Sequence, residues 1–301
     1  MSTVALSAAP AAHRSWLPDL SLVGVTLIWG GTFLAVQTAL QWSGAFVFVG
    51  MRFAVAALLA LLLCRRQLAG LNRTELLGGI GIGVILYFSY NLQTLGLGHI
   101  ASSTSAFLTG LYVPLVPLLQ WGLFRQRPGW LAWVGVALAF AGLLLLAGVD
   151  GLSIKLGLGE WLTIAATATI ALEICLLSRF AAGCNAGRMA LVQLATVALL
   201  SLLSAPLAGE ALPQWQPLLL ASVLALGAAT ALIQIVMNWA QQTVPATRAT
   251  IIYAMEPVWG GLIGWLAGEA MGAGKVGGAA LIVASVLLSQ LSAHKATHAP
   301  A

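Results

Sequence analysis

The chain reads as an all-α integral membrane protein of ten transmembrane helices, arranged as two inverted five-helix repeats. Three observations predict this. Of 301 residues, 60% are hydrophobic and only 7% are charged, with a mean hydropathy of +0.97; a soluble domain carries about 25% charged residues. Apolar blocks, each near the roughly 20 residues that a spanning helix needs, follow one another along the whole chain. Finally, the second half of the chain resembles the first at a constant offset.

The spans follow in order. The segment MSTVALSAAPAAHRSW lacks a charged start followed by a short apolar core. The block after it, 20–40, is long enough to span, so it is expected to be a retained first helix and not a cleaved signal. The connector QWSG leads into 44–64, and RRQLAGLNRTE separates that block from 76–97. GHIAS precedes 102–124, RQRPG precedes 130–148, and DGLSIKLG precedes 159–179. The remaining spans are 188–208, 216–240, 248–268 and 275–292, divided by GEALPQWQ, QQTVPAT and GEAMGAGK. Polar residues occupy the second halves of the third and eighth. The expected organisation is a cytoplasmic tail at 1–17, a first repeat at 18–151, a second at 152–292 and a cytoplasmic tail at 293–301.

Positive charge orients the bundle. With the N-terminus inside, cytoplasmic segments hold Arg14, Arg65, Arg66, Arg73, Arg125, Arg127, Arg179, Arg188, Arg248 and Lys295, whereas outer segments hold Lys155 and Lys275. Both termini are therefore expected in the cytoplasm. The same scatter, in ones and twos between apolar blocks, offers no basic stripe for nucleic acid. Cys64, Cys175 and Cys184 have neither disulfide nor zinc spacing.

SAFLTGLYVPLVPLL in the fourth span aligns with RATIIYAMEPVWGGL in the ninth, placing Pro114 and Pro257 143 residues apart. The same offset lays GVALAFAGLLLL over GAALIVASVLLS. Each half holds an odd number of spans, so the second enters the membrane in the opposite sense, the design of many transporters. Each proline removes a helical donor and kinks its helix, leaving free the carbonyl of Gly110 or Tyr253.

Several motifs carry a family resemblance: LIWGGTFLAV at 27–36, Met51-Arg52-Phe53, the proline-bearing fourth and ninth spans, MEPVWGGLIGWLAGE at 255–269, and the glycine-rich last helix. In this order they resemble the drug/metabolite transporter superfamily, in its EamA-like branch. The resemblance implies export of small metabolites, often amino acids or related compounds, across a bacterial inner (plasma) membrane. Two departures stand out. Gln126 occupies a position where the family has a carboxylate that Glu269 keeps in the second repeat, and Ala-Leu-Glu173 replaces an aromatic and a small residue. Arg52 falls at a family position, which implies a structural anchor that snorkels or pairs with a buried carboxylate.

Polar side chains in a bilayer avoid lipid, so polar stripes at helical spacing mark the bundle interior. The first span carries Thr26, Gly30, Phe33 and Gln37, with Trp29 beside them. The third carries Tyr87, Tyr90 or Asn91, and Thr94; the fourth, Ser105, Thr109 and Tyr112. The sixth has Thr169 and Glu173, the eighth Thr230, Gln234, Asn238, Trp239 and Gln241, and the ninth Thr250, Tyr253 and Glu256. A central cavity among helices 1, 3, 4, 6, 8 and 9 would gather them, and its aromatics point to an apolar or aromatic amino acid. Interhelical hydrogen bonds made for packing alone, worth about 0.6 kcal/mol each, fit the same stripes.

Ionisable residues within spans mark ion or substrate paths; the sequence places Arg52, Glu173 and Glu256 there. Glu256, and likewise Glu173, would bind the ammonium of a substrate, exchange protons to couple transport, or serve as a hydrogen-bonded acid in the bundle. Gly30-Gly31, Gly78-Gly79-Gly81-Gly83 and Gly277-Gly278 read as small residues that let helices approach, not as a phosphate loop. The expected partners are a small metabolite, the bilayer and protons. A passive channel fits the repeat equally. An enzyme finds no support: Asp19 and Asp150 lie near span ends, and there is no HExxH motif and no serine or cysteine with an evident base. No cofactor is expected.

Overall fold

The computed structural model describes residues 16–100, 102–147, 157–266 and 272–297. Asp150, Lys155, Glu269 and most of the N-terminal tail lie outside these described residues. Within them, the regular elements are helices: α1 (Leu17–Gly30), α2 (Thr32–Ala39), α3 (Ala45–Cys64), α4 (Arg73–Leu97), α5 (Ser102–Thr109), α6 (Tyr112–Gly122), α7 (Trp130–Ala147), α8 (Leu158–Phe180), α9 (Ala186–Leu207), α10 (Pro217–Ala240), α11 (Ala246–Tyr253), α12 (Glu256–Leu266) and α13 (Ala273–Thr297), with a 3₁₀ turn at Arg65–Gly70. Six segments have the length and hydropathy to cross a bilayer: Leu17–Ala39, Ala45–Gly70, Arg73–Leu97, Leu158–Phe180, Ala186–Leu207 and Pro217–Ala240. Trp130–Leu145 and Val276–Leu288 are shorter apolar helices. The molecule is a multi-pass helical membrane protein.

Three of the expected spans are each two helices, not one. The first breaks at Gly31, the fourth at Gly110–Leu111 and the ninth at Ala254–Met255. Pro114 and Pro257 fall in the first turns of α6 and α12. A helix's first N–H groups lack intrahelical partners, so proline costs little there. The expected kinks are therefore full interruptions. The Gly110 carbonyl is not left free: it accepts the Val113 N–H at 3.1 Å.

Contacts between helix ends define the two ends of the bundle. At the first end, α9 finishes at Gly209, whose φ of 70° is a left-handed cap. The next residue, Glu210, accepts the Phe46 and Val47 N–H groups at 3.0 and 2.9 Å and so caps α3. At the second end, Asn72 and Glu75 form a capping box that starts α4. The same Glu75 carboxylate accepts from Arg188 at 2.6 Å and from the Asn185 N–H at 2.8 Å, tying α4 to α9.

The most extensive packing joins α3 to α9, α4 to α8 and α9, and α7 to α13. Glycine permits part of it. A Cβ on Gly79 or Gly83 would lie 2.7 Å from Val192 or Thr196 of α9, and one on Gly142 would lie 2.7 Å from the Gly278 carbonyl. Gly81 and Gly277 meet nothing within 4 Å, so those two do not serve helix approach. Phe48, Phe53, Leu86 and Leu194 are fully buried, while Leu58, Leu62, Leu199, Leu203, Leu220 and Leu224 are exposed on the outside. An apolar exterior of this kind is what lipid contact requires.

Candidate functional site

A cavity of about 780 Å³, including its part open to solvent, lies where the interrupted helices meet α3, α4, α8 and α10. Each of the three breaks presents the residues on its two sides to this space: Trp29 and Thr32 at Gly31, Thr109 and Tyr112 at Gly110–Leu111, Tyr253 and Glu256 at Ala254–Met255. Arg52, Tyr90, Gln93, Glu173 and Gln234 complete its polar wall, and Phe33, Val36, Leu97, Ile170, Ile174 and Met237 are among its apolar members. On α1/α2, α3, α4 and α5 the lining residues lie toward the end where Glu210 caps α3, so the cavity runs from the middle of the bundle toward that end.

The walls hold themselves in place. Trp29 and Tyr253 meet edge to face with ring centroids 5.2 Å apart, and Phe53 meets Tyr90 in the same way at 4.7 Å. The Arg52 guanidinium lies 5.2 Å from the Tyr90 ring centroid and donates from Nε to Thr230 Oγ1 at 2.8 Å. Gln93 donates to Thr109 Oγ1 at 3.0 Å. Trp259 of α12 donates to Thr26 of α1 at 2.9 Å.

Beneath the floor, polar contacts tie the helices at the second end. Gln241 donates to the Tyr253 hydroxyl at 2.8 Å, and Gln242 donates to the Cys184 carbonyl at 2.8 Å. Thr247 of α11 bonds Gln120 of α6. Arg248 of α11 pairs with Asp19 of α1 at 2.6 Å, both residues being buried. Asp19 lies in the first turn of α1, at a span end as the sequence reading has it, but Arg248, read there as a connector charge, is buried in the first turn of α11. Buried ionisable groups extend beyond Arg52 and Glu173 to Asp19, Glu75 and Arg248, while Glu256 is partly exposed.

Of the residues singled out by sequence, the structure brings Trp29, Phe33, Tyr90, Thr94, Thr109, Tyr112, Glu173, Gln234, Tyr253 and Glu256 to the cavity. It does not bring Thr26, Gln37, Tyr87, Asn91, Ser105, Thr169, Thr230, Asn238, Trp239, Gln241 or Thr250. Gln37 donates to the Ile100 carbonyl at 3.3 Å. Tyr87 bonds Ser204 at 2.7 Å and Asn91 donates to Ser201 at 2.8 Å, both on α9. Asn238 exchanges two amide hydrogen bonds with Gln193, at 2.8 and 3.2 Å. Trp239 is exposed in the last turn of α10 and outside the lining. Tyr87, Asn91 and Asn238 serve helix packing. Arg52, Thr32, Ser89 and Gln93 are the polar additions; Gln93 had a signal in its spacing, three residues beyond Tyr90 on the same helical face.

Two stretches of the chain, residues 16–148 and 157–291, each match the EamA-like transporter family. The chain belongs to that family. An uncharacterized transporter from Archaeoglobus fulgidus is 28% identical to this EamA-like transporter over 244 residues, covering 80% of this chain and 75% of the other. A solved crystal structure shares its fold, with a TM-score of 0.76 at 18% identity, covering 92% of this chain and 99% of that one. The protein is a membrane transporter.

Proposed function

We propose that this EamA-like transporter is a secondary exporter of small organic metabolites, amino acids or related compounds, working by alternating access between two inverted repeats of five spans. The observation that carries the proposal is that all three interrupted helices expose the residues on both sides of their breaks to one cavity. Discontinuous helices meeting near the midplane are how many secondary transporters build a substrate site that two gates open in turn. Three tyrosines, two carboxylates, two amides and an arginine around an aromatic wall suit a ligand with both polar and apolar parts. With the termini in the cytoplasm, as the distribution of arginine implies, the cavity faces outward and the Asp19–Arg248 end is the closed cytoplasmic gate. Glu256 and Glu173 are the groups proposed to bind the substrate's ammonium or to carry a coupling proton.

The test is flux of labelled amino acids, from aromatic to small and polar, into proteoliposomes with and without an imposed pH gradient. The expected result is saturable accumulation of one class that requires the gradient, and mere equilibration of that class by Glu256→Gln. Saturable movement that never accumulates would make the protein a facilitator and Glu256 a binding or structural group. Flux that never saturates would mark a channel.

A further inference from the structure

The geometry points to Arg52 as an anion-binding group of the cavity, and to substrates that carry a single carboxylate. Arg52 is buried in α3, 4% exposed, yet it lines the cavity. Among the described residues its one hydrogen bond runs from Nε to Thr230 Oγ1. The Thr230 hydroxyl itself donates to the Leu226 carbonyl at 2.7 Å, so its oxygen is left to accept. One edge of the guanidinium is thereby held by α10. Its central carbon lies over the Tyr90 ring, 5.2 Å from the centroid, and 6.0 Å from the Phe53 centroid.

The two terminal nitrogens have no protein acceptor among the described residues. Glu173 and Glu256 line the same cavity, but no ion pair within 4.0 Å joins either to Arg52. Of the roles expected for Arg52, pairing with a buried carboxylate is not seen among the described residues, while its bond to Thr230 ties α3 to α10. A buried charge without a partner is costly and persists where something else supplies the counter-charge. The planar fork of Nη1 and Nη2, fixed by Thr230 and Tyr90, matches the two oxygens of a carboxylate in a bidentate pair. A phosphate fits less well. There is one cation and no lysine in the lining, and two carboxyl groups share the space with any ligand, so a dianion meets repulsion that a monocarboxylate largely escapes.

The inference rests on the cavity being the transport site, and its test keeps the two apart. The full chain, labelled with ¹⁵N in its arginine side chains and held in lipid nanodiscs, is titrated with acetate and benzoate. Acetamide, benzamide and inorganic phosphate are titrated in parallel. The Arg52 signals are assigned by their loss in Arg52→Lys. The expected result is a saturable shift of the Arg52 Nη signals by both carboxylates, with at least about tenfold weaker binding of the amides and of phosphate. No saturable shift with either carboxylate, or an equal response to amides or phosphate, overturns the proposal.

Transport is read separately, by identifying which compounds of a cell extract enter proteoliposomes only when the protein is present. If nothing enters while acetate still shifts Arg52, the transport reading falls and the carboxylate site stands. If compounds without a carboxylate enter and Arg52 is unmoved, the transport reading stands and the carboxylate site falls.

Discussion

Two amides on the same helix show how little residue type says about role in this protein. Gln234 and Asn238 lie one turn apart on α10, yet Gln234 lines the cavity while Asn238 closes a reciprocal amide pair with Gln193 of α9. Asn238→Leu leaves the buried Gln193 amide without its partner, which costs about 1–3 kcal/mol. It is expected to lower the thermal unfolding midpoint in detergent while leaving the affinity of the folded fraction unchanged. Gln234→Leu is expected to lower ligand affinity, since it removes from the cavity wall an amide that hydrogen-bonds the Glu173 side chain. Ligand affinity and unfolding midpoint, measured on both variants, check the pair. A loss of affinity in Asn238→Leu equal to that in Gln234→Leu would show that the amide pair shapes the cavity. The stripe misleads because neighbouring positions on a helix are about 100° apart. Met237 still lines the cavity, while Asn238, the next residue, is turned to α9. On α4, Tyr90 with Thr94 and Tyr87 with Asn91 are both stripes of four-residue spacing. Spacing alone does not say which one turns to the cavity and which to α9.

At the scale of elements, the interruptions were legible where a proline marks them and illegible where only glycine does. Pro114 and Pro257 predict kinks, and full breaks lie three and two residues before them, whereas Pro117 and Pro206 sit within α6 and α9 without a break. Gly31 carries no such signal, and the apolar run continues across it, so the break between α1 and α2 depends on what surrounds it. The closing contact at the second end was equally hidden. Asp19 and Arg248 belong to spans at opposite ends of the sequence, and only the meeting of α1 with α11 makes them a pair. Removing one partner of a buried ion pair costs about 3–5 kcal/mol, and here that cost falls on the state in which the second end is closed. Asp19→Asn is therefore expected to raise the rate at which a cysteine placed at Gln234 is modified by a membrane-impermeant reagent added on the side of the second end. The native cysteines are removed first. The exchange Asp19→Arg with Arg248→Asp is expected to bring the rate back toward that of the parent. An unchanged rate in Asp19→Asn would mean that the pair does not hold the gate.

Over the whole molecule, the two halves do not pack as separate units. α3 of the first half lies along α9 of the second, α4 along α8 and α9, and α7 along α13. Glu75 and Glu210 fasten the two ends of α9 to α4 and α3. Each half alone would leave these faces, with the Gly79 and Gly83 approach and the Asn91–Ser201 hydrogen bond, without their partners. Residues 1–151 and 152–301 produced separately are accordingly expected to aggregate or be degraded, and together to recover a folded complex; size-exclusion elution in mild detergent distinguishes the two. A monodisperse single half would contradict this packing.

Membrane residence, the alternation of helices, the two proline-marked breaks and the similarity of the halves were all readable in the chain. They depend on local composition and spacing, which solvation and backbone geometry translate directly into structure. Which polar face meets the cavity, why Arg52 has no carboxylate beside it, and how Asp19 finds Arg248 were decided only in the folded bundle. Those depend on contacts between distant helices, where a rotation of one residue, about 100° about the helix axis, sends a side chain to a different neighbour.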